Sequence, residues 1–245
     1  MTVAAQRPER RRGPGAPAEH EHRDVSGGWL RPTVFGAMDG LVTNVSLIAG
    51  VGGGGLDRSH VILTGLAGLV AGAFSMATGE FTSVTSQNEL VRAEVEIERR
   101  QLETHPEEEK EELAEAFEDK GVEPDLAEQV AEQVSQDPDE ALRLHAKEEL
   151  GVDPEELPSP MVAAFSSFFS FAVGAIIPLL SYLLGSSNLY LALGISAVAL
   201  FVAGGVVARL TAVNVWYGAT RQLLLGALAA GVTYAVGRGI GASVS

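Results

Sequence analysis

Five apolar stretches, each long enough to cross a lipid bilayer as a helix, constrain this chain more than any other feature. They run over approximately 33–54, 61–84, 161–184, 189–208 and 219–240. A membrane helix needs about 20 mostly apolar residues, and it must satisfy its own backbone polar groups because lipid cannot. The expected fold class is therefore all-α: an integral membrane protein with five transmembrane helices.

Between the second and third stretches the composition inverts. The chain carries 17 Lys and Arg against 32 Asp and Glu, a formal net charge of −15. Of these, 25 acidic and 7 basic residues lie between Glu89 and Glu156. The net acidity is confined to one internal block, and the remainder is slightly cationic. A soluble domain of this length would scatter its charges.

The block reads as helical. Glu89–Glu103 continues from the second span without a breaker, so one helix is expected to run from the membrane into water. His105-Pro106 stops it. Pro106 to Lys120 reads as a second helix, with Leu113 and Phe117 on one face and Gly121 as its cap. Glu123-Pro124 opens a third, with Leu126, Val130 and Val134 at helical spacing. Asp137-Pro138 opens a fourth, with Ala141, Leu142 and Leu150, closed by Gly151. Each apolar stripe is too narrow to hold a helix alone, so the helices are expected to pack together. Asp153 to Pro160 is the linker back into the membrane.

The domain reading is thus a tail over 1–30, transmembrane helices 1 and 2 over 31–88, the helical insert over 89–158, and transmembrane helices 3 to 5 over 159–245. The tail is rich in Arg, Pro, Gly and Ala, with no apolar run directly after Arg10–Arg12, so it reads as disordered rather than as a secretory signal. His20 and His22 in it read as solvated residues in preference to metal ligands. Lys/Arg placement sets the orientation. With the N-terminus in the cytoplasm, Arg7, Arg10, Arg11, Arg12, Arg23, Arg31, the insert's cations, Arg209 and Arg221 lie inside, and only Arg58 and Arg238 lie outside. The insert is then cytoplasmic and the C-terminus external. Absent cysteines exclude disulfides and thiolate sites. Few aromatics and no basic stripe argue against nucleic acid as a partner.

Within the apolar stretches three groups sit where lipid rejects them: Asp39, Met76 and Glu80. An Asp at mid-span costs about 2.5–3.5 kcal/mol on insertion scales, so it needs a partner or water. Asp39 lies eight residues past Arg31, about 12 Å from the cytoplasmic side at 1.5 Å per residue. Met76, on a span running the other way, falls at a similar depth, and Glu80 lies one turn nearer the cytoplasm on the same face. Thr43 and Asn44 lie one turn beyond Asp39 as further oxygen donors. Carboxylates with a thioether suit Fe²⁺ and other borderline metals better than Mg²⁺ or Ca²⁺. Pro178 is expected to kink the third span and free a carbonyl. Small residues at Gly36, Gly40, Gly65, Gly68, Gly72, Gly204 and Gly205 permit close helix approach. In the insert, Glu94 and Glu98 are one turn apart, and Glu109 and Glu112 share a face. Like charges so placed repel unless a cation screens them.

These motifs resemble the vacuolar iron transporter family, including its bacterial members. The residues that carry the likeness are Phe35-Gly-Ala-Met-Asp-Gly-Leu-Val-Thr-Asn44, Ser75-Met-Ala-Thr-Gly-Glu80, Pro106-Glu-Glu-Glu-Lys-Glu-Glu-Leu113 and Glu148-Glu-Leu-Gly151, over nearly all the chain after Trp29. The resemblance implies a homodimer with an ion route at the subunit interface, exporting Fe²⁺ and Mn²⁺ from the cytosol in exchange for protons. It implies that Asp39 and Met76 line the route, and that Glu98, Glu109, Glu112 and Glu149 collect metal. Two positions depart from the pattern: Gln101 replaces a glutamate of some members, and His145-Ala146 replaces a methionine pair, offering an imidazole for a sulfur. The expected metal set is Asp39, Met76, Glu80, Glu94, Glu98, Glu109, Glu112, His145 and Glu149. No prosthetic group is expected; Fe²⁺ or Mn²⁺ is cargo, and Zn²⁺ is a further candidate for the insert. The expected partners are metal ions, protons, membrane lipid and a second copy, in a bacterial plasma membrane. The competing readings are a membrane-anchored di-iron ferroxidase, for which a repeated Glu-x-x-His is missing, and a non-transporting metal buffer, which leaves Asp39 and Met76 unexplained.

Overall fold

The computed structural model describes residues 28–244. The tail before residue 28, with His20 and His22, lies outside the described residues. Among the described residues eight helices follow in order: α1 Leu30–Gly53, α2 Arg58–Thr104, α3 Pro106–Asp119, α4 Pro124–Val134, α5 Pro138–Glu149, α6 Pro160–Leu183, α7 Leu189–Leu210 and α8 Val215–Val244. Five of them, α1, α2, α6, α7 and α8, are long and apolar enough to span a membrane. Their outer faces expose large apolar side chains at one-turn spacing, such as Val198, Val202 and Val206 on α7 and Leu224, Leu228 and Val232 on α8. Water would penalise that surface and a hydrocarbon solvent does not. The protein is an integral membrane protein with a short helical insert, α3 to α5, between its second and third spans.

Helix α1 is the centre of the membrane bundle and touches α2, α6, α7 and α8. Glycine makes this possible. A Cβ at Gly40 would run into the backbone carbonyl of Phe171 on α6, and one at Gly237 on α8 into the carbonyl of Gly50. Backbones that close leave no room for any side chain, and dispersion between them replaces the hydrophobic drive that lipid removes. Leu41, Val45, Ile48 and Ala49 fill the faces between these crossings.

Pro178 lies inside α6, which continues through it. Proline has no N–H, so the carbonyl one turn earlier loses its helical donor. Asn44, buried on α1, donates its side-chain Nδ2 to the neighbouring carbonyl of Ala175. The carbonyl so freed is that of Gly174; Asn44 reaches the next one along α6, from α1. Asn44 does not line the groove at Asp39.

Helix α2 is 47 residues long and does not break where it leaves the apolar zone. Proline opens each of α3, α4, α5 and α6 at a position whose N–H has no helical acceptor anyway. Asp137 caps α5 by accepting from the backbone N–H of Asp139 and Glu140. Gly121 and Gly151, with φ of +88° and +68°, turn the chain after α3 and α5. Leu113, Ala114, Ala127 and Ala131 form the small core between α3 and α4, with Phe117, Val122, Val134 and Leu144 packed around it. The inward face of α4 is alanine; Leu126, expected in the stripe, is exposed. Alanines let α4 lie closer to α3 than a leucine would. Helix α5 packs on the extended end of α2, and Asn88 donates to the Pro158 carbonyl, tying α2 to the returning linker.

Candidate metal centre

Four side chains from three helices converge in the insert: Glu98 from α2, Glu109 from α3, and His145 and Glu149 from α5. Each can offer a ligand atom with all four atoms within 4.8 Å of one another. The local sequence explains the convergence. His145 and Glu149 are one turn apart, so one face of α5 carries both. Glu109 lies in the first turn of α3, just after the Pro106 break that turns the chain back on α2. Glu98 is on the part of α2 that α5 covers.

The imidazole is at the centre, with its side chain 2% exposed. Its Nδ1 lies 3.2 Å from Glu98 Oε1, 3.3 Å from Glu149 Oε1 and 3.7 Å from Glu109 Oε2. One ring N–H cannot serve three carboxylates. Its hydrogen bond goes to Glu149, while Glu98 Oε1 and His145 Nε2 are buried without a hydrogen-bond partner. The glutamates differ in access. Side chains of Glu98 and Glu109 are 12% and 10% exposed, whereas Glu149 is 39% exposed and forms the open side.

Several of the insert's cations are engaged elsewhere. Lys110 pairs with Glu107 at 2.6 Å and Glu132 at 2.9 Å, Lys120 pairs with Glu148, and Arg143 pairs with Glu140 and Asp153. Among the described residues no Lys or Arg forms an ion pair with Glu98, Glu109 or Glu149. The electrostatic result is visible at Glu98. Burial first, then the charges of Glu149, Glu109 and Glu112, push its carboxyl from 4.5 up to about 7. Glu112 is also raised, by desolvation and by the charges of Glu149 and Glu109. A site with three carboxylates, one imidazole and too few donors favours a divalent cation of borderline softness over a soft one.

Two other expected ligands stand apart. Glu94 is exposed, one turn up α2 toward the membrane, and Glu112 is exposed at the edge of the cluster. Neither belongs to the four-residue group. Gln101 is exposed as well.

In the membrane, Asp39 opens on a groove between α1, α7 and α8 with a volume of about 700 Å³. Thr43 donates its hydroxyl to Asp39 Oδ1 at 3.3 Å, so one carboxylate oxygen is held by its own helix. Met76 packs instead against Ala73, Phe171 and Ala175, on the α2–α6 side. Glu80 is buried, and its Oε2 has no hydrogen-bond partner. Within one chain, then, Asp39 and Met76 face different neighbours.

Comparison with known proteins agrees with the architecture. A family model described as the VIT family matches residues 30–238. A vacuolar iron transporter of Acanthamoeba castellanii is 37% identical over 227 residues, covering 89% of this chain and 81% of that protein. Vacuolar iron transporter 1 of Oryza sativa subsp. japonica is 27% identical over 229 residues, 91% of each chain. VIT-like transporter 1b of Glycine max is 31% identical over 218 residues, covering 88% of this chain and 77% of that protein.

Proposed function

This chain belongs to the VIT family, and on that premise we propose that it exports Fe²⁺, and with it Mn²⁺, from the cytosol in exchange for protons. The observation that carries this reading is the Glu98, Glu109, His145 and Glu149 cluster at the foot of a helix that is continuous with the membrane span. Relatives named as iron transporters support the choice of cargo.

In this mechanism residues 89–158 collect metal from the cytoplasm, and 31–88 with 159–245 move it. The insert's carboxylates and imidazole must be deprotonated to bind, so metal and protons compete for one set of atoms. Glu94 and Glu112 extend the negative field around the cluster and draw cations in. Glu80 receives the ion at the membrane boundary, and Met76 and Asp39 line its passage. Protons arriving from outside displace it at Asp39.

A second copy completes the route. Ala71, Ser75, Gly79 and Ser83 recur every fourth residue on an exposed face of α2. Small residues at that spacing let two membrane helices approach closely. A homodimer formed there sets Met76 of each copy near the shared axis. The proposed location is the plasma membrane of a bacterium, with the N-terminus and insert in the cytoplasm and the C-terminus outside.

Flux in proteoliposomes tests the reading. Vesicles acidic inside, carrying the full chain with its insert outward, are expected to take up Fe²⁺ kept reduced, and Mn²⁺, in proportion to the pH gradient. A protonophore should abolish the uptake. Metal binding without any flux would leave a buffer and overturn the transporter.

A further inference from the structure

Helix α2 keeps an apolar outward face after it has left the bilayer. At 1.5 Å per residue from Val61, about 30 Å of hydrocarbon ends near Phe81 and the headgroup layer ends near Ser86. Leu90 and Ile97 lie beyond both, yet they are 62% and 52% exposed. Lipid does not reach them. The chain's own insert covers the other side of the helix, where Asn88, Val91, Val95, Glu98 and Leu102 are buried or half-buried. Gly79, Ser83, Ser86, Leu90, Ala93 and Ile97 follow one another at alternating steps of four and three residues, and all are exposed. That alternation is the spacing of a coiled-coil seam.

We propose that a second copy of this chain covers the stripe, so that two α2 helices pair in the cytoplasm as a short parallel coiled coil with Leu90, Ala93 and Ile97 at its centre. This rests on the homodimer proposed above and extends its contact beyond the membrane. The bilayer selects the partner. Copies inserted with one orientation run their α2 helices parallel about a shared twofold axis, so each seam position meets itself. Side-chain size follows the geometry. Helices crossing at about 20° are closest at one point and separate slowly from it; the smallest residues, Gly79 and Ser83, mark that point, and Leu90 and Ile97 fill the space where the helices part. Helix α2 is unbroken over its 47 residues, so the two arms do not turn away from each other. The flanks fit the pairing at Gln101. In a parallel pair a residue just before a seam position faces the residue five further on in the other copy. Glu89 then faces Glu94, a solvent-screened like-charge pair, whereas Glu96 faces Gln101. The neutral amide, at a position that departs from the family pattern, removes a second repulsion.

The chain has no cysteine, so single cysteines in the full chain report their own positions. In isolated membranes under mild oxidation, Leu90→Cys and Ile97→Cys are each expected to give a disulfide-linked dimer, since paired seam positions bring Cα atoms into the bridging range of about 4.4–6.8 Å. Arg92→Cys, exposed on another face of α2, should stay monomeric. Both seam residues are exposed in the single chain, so neither change disturbs its fold. Adding Gln101→Glu to Ile97→Cys should slow the crosslink about threefold at low ionic strength and leave it unchanged in high salt, where like charges are screened. Ser83→Cys marks the membrane end of the stripe. Bridging there without bridging at Leu90→Cys or Ile97→Cys overturns the cytoplasmic seam and leaves the homodimer standing; bridging at none of the three overturns both. Arg92→Cys crosslinking as fast as Ile97→Cys would mean random collision and overturns the proposal, as does a Gln101→Glu change without effect at low salt.

Discussion

His145 Nδ1 lies 3.2 Å from Glu98 Oε1, so a single imidazole joins the helix that leaves the membrane to the last helix of the insert. The contact links the candidate metal centre to the membrane span through continuous helix. It also places a nitrogen donor where the family resemblance implies sulfur.

His145→Ala should lower the affinity of the full chain for Mn²⁺ by about tenfold or more, the scale seen when a group that holds or orients a metal is removed. His145→Met should recover less for Mn²⁺ and Zn²⁺ than for softer ions, since a thioether is a softer donor. Calorimetric titration of each variant checks both. Unchanged Mn²⁺ affinity in His145→Ala would remove the imidazole from the ligand set.

The pH response follows from Glu98. Its folded value is raised to about 7 from 4.5, so between these values the folded state holds a proton that the unfolded chain has released. Stability of the metal-free protein attributable to this group is present below about pH 4.5 and is lost as pH rises through about 7. Metal binding needs the same carboxylate deprotonated, so Mn²⁺ affinity should rise over that window. Melting temperatures with and without Mn²⁺ from pH 5 to 8 should diverge. Curves that stay parallel would contradict the assignment of Glu98.

Asp39→Asn keeps the size of the side chain and its position beside Thr43 but removes the charge. Flux in proteoliposomes should fall to background, while Mn²⁺ binding by the insert stays within about twofold of the parent, because sites this far apart behave independently. Normal Fe²⁺ uptake by Asp39→Asn would exclude this carboxylate from the route.

Two glycines separate folding from assembly. A Cβ at Gly40 meets the Phe171 backbone, whereas nothing lies within 4 Å of one at Gly79. Gly40→Ala should destabilise the membrane bundle, by about 1–3 kcal/mol if overpacking behaves as in other tight cores. Gly79→Leu should leave each chain folded and convert the proposed dimer to monomer, as light scattering in detergent would read. A dimeric Gly79→Leu would move the interface off this face of α2.

Helix ends were legible because their causes are local. Pro106, Pro124, Pro138 and Pro160 stand where the chain must restart, and Gly121 and Gly151 where it must turn, so neighbouring residues suffice to locate α3 to α6. The same holds for the continuity of α2 through Glu89, which needs only the lack of a breaker. Leu126 misled because helical spacing names a face without saying which neighbour covers it. Alanine at 127 and 131 won that contact through close approach.

For this protein the sequence by itself determined the five spans, the acidic helical insert and the residue types able to bind metal, since length, hydropathy, charge and breakers act along the chain. The family resemblance implied Glu98, Glu109, Glu112 and Glu149 together; the tertiary structure showed which of the expected ligands converge. Glu98, Glu109, His145 and Glu149 meet because three helices fold onto one point, while Glu94 and Glu112, no different in type, are exposed and outside that group. It likewise decided that Asn44 on α1 donates to the Ala175 carbonyl of α6 and that Asp39 faces α7 and α8. Those are contacts between residues far apart in the chain, fixed by which backbones glycine allows to approach.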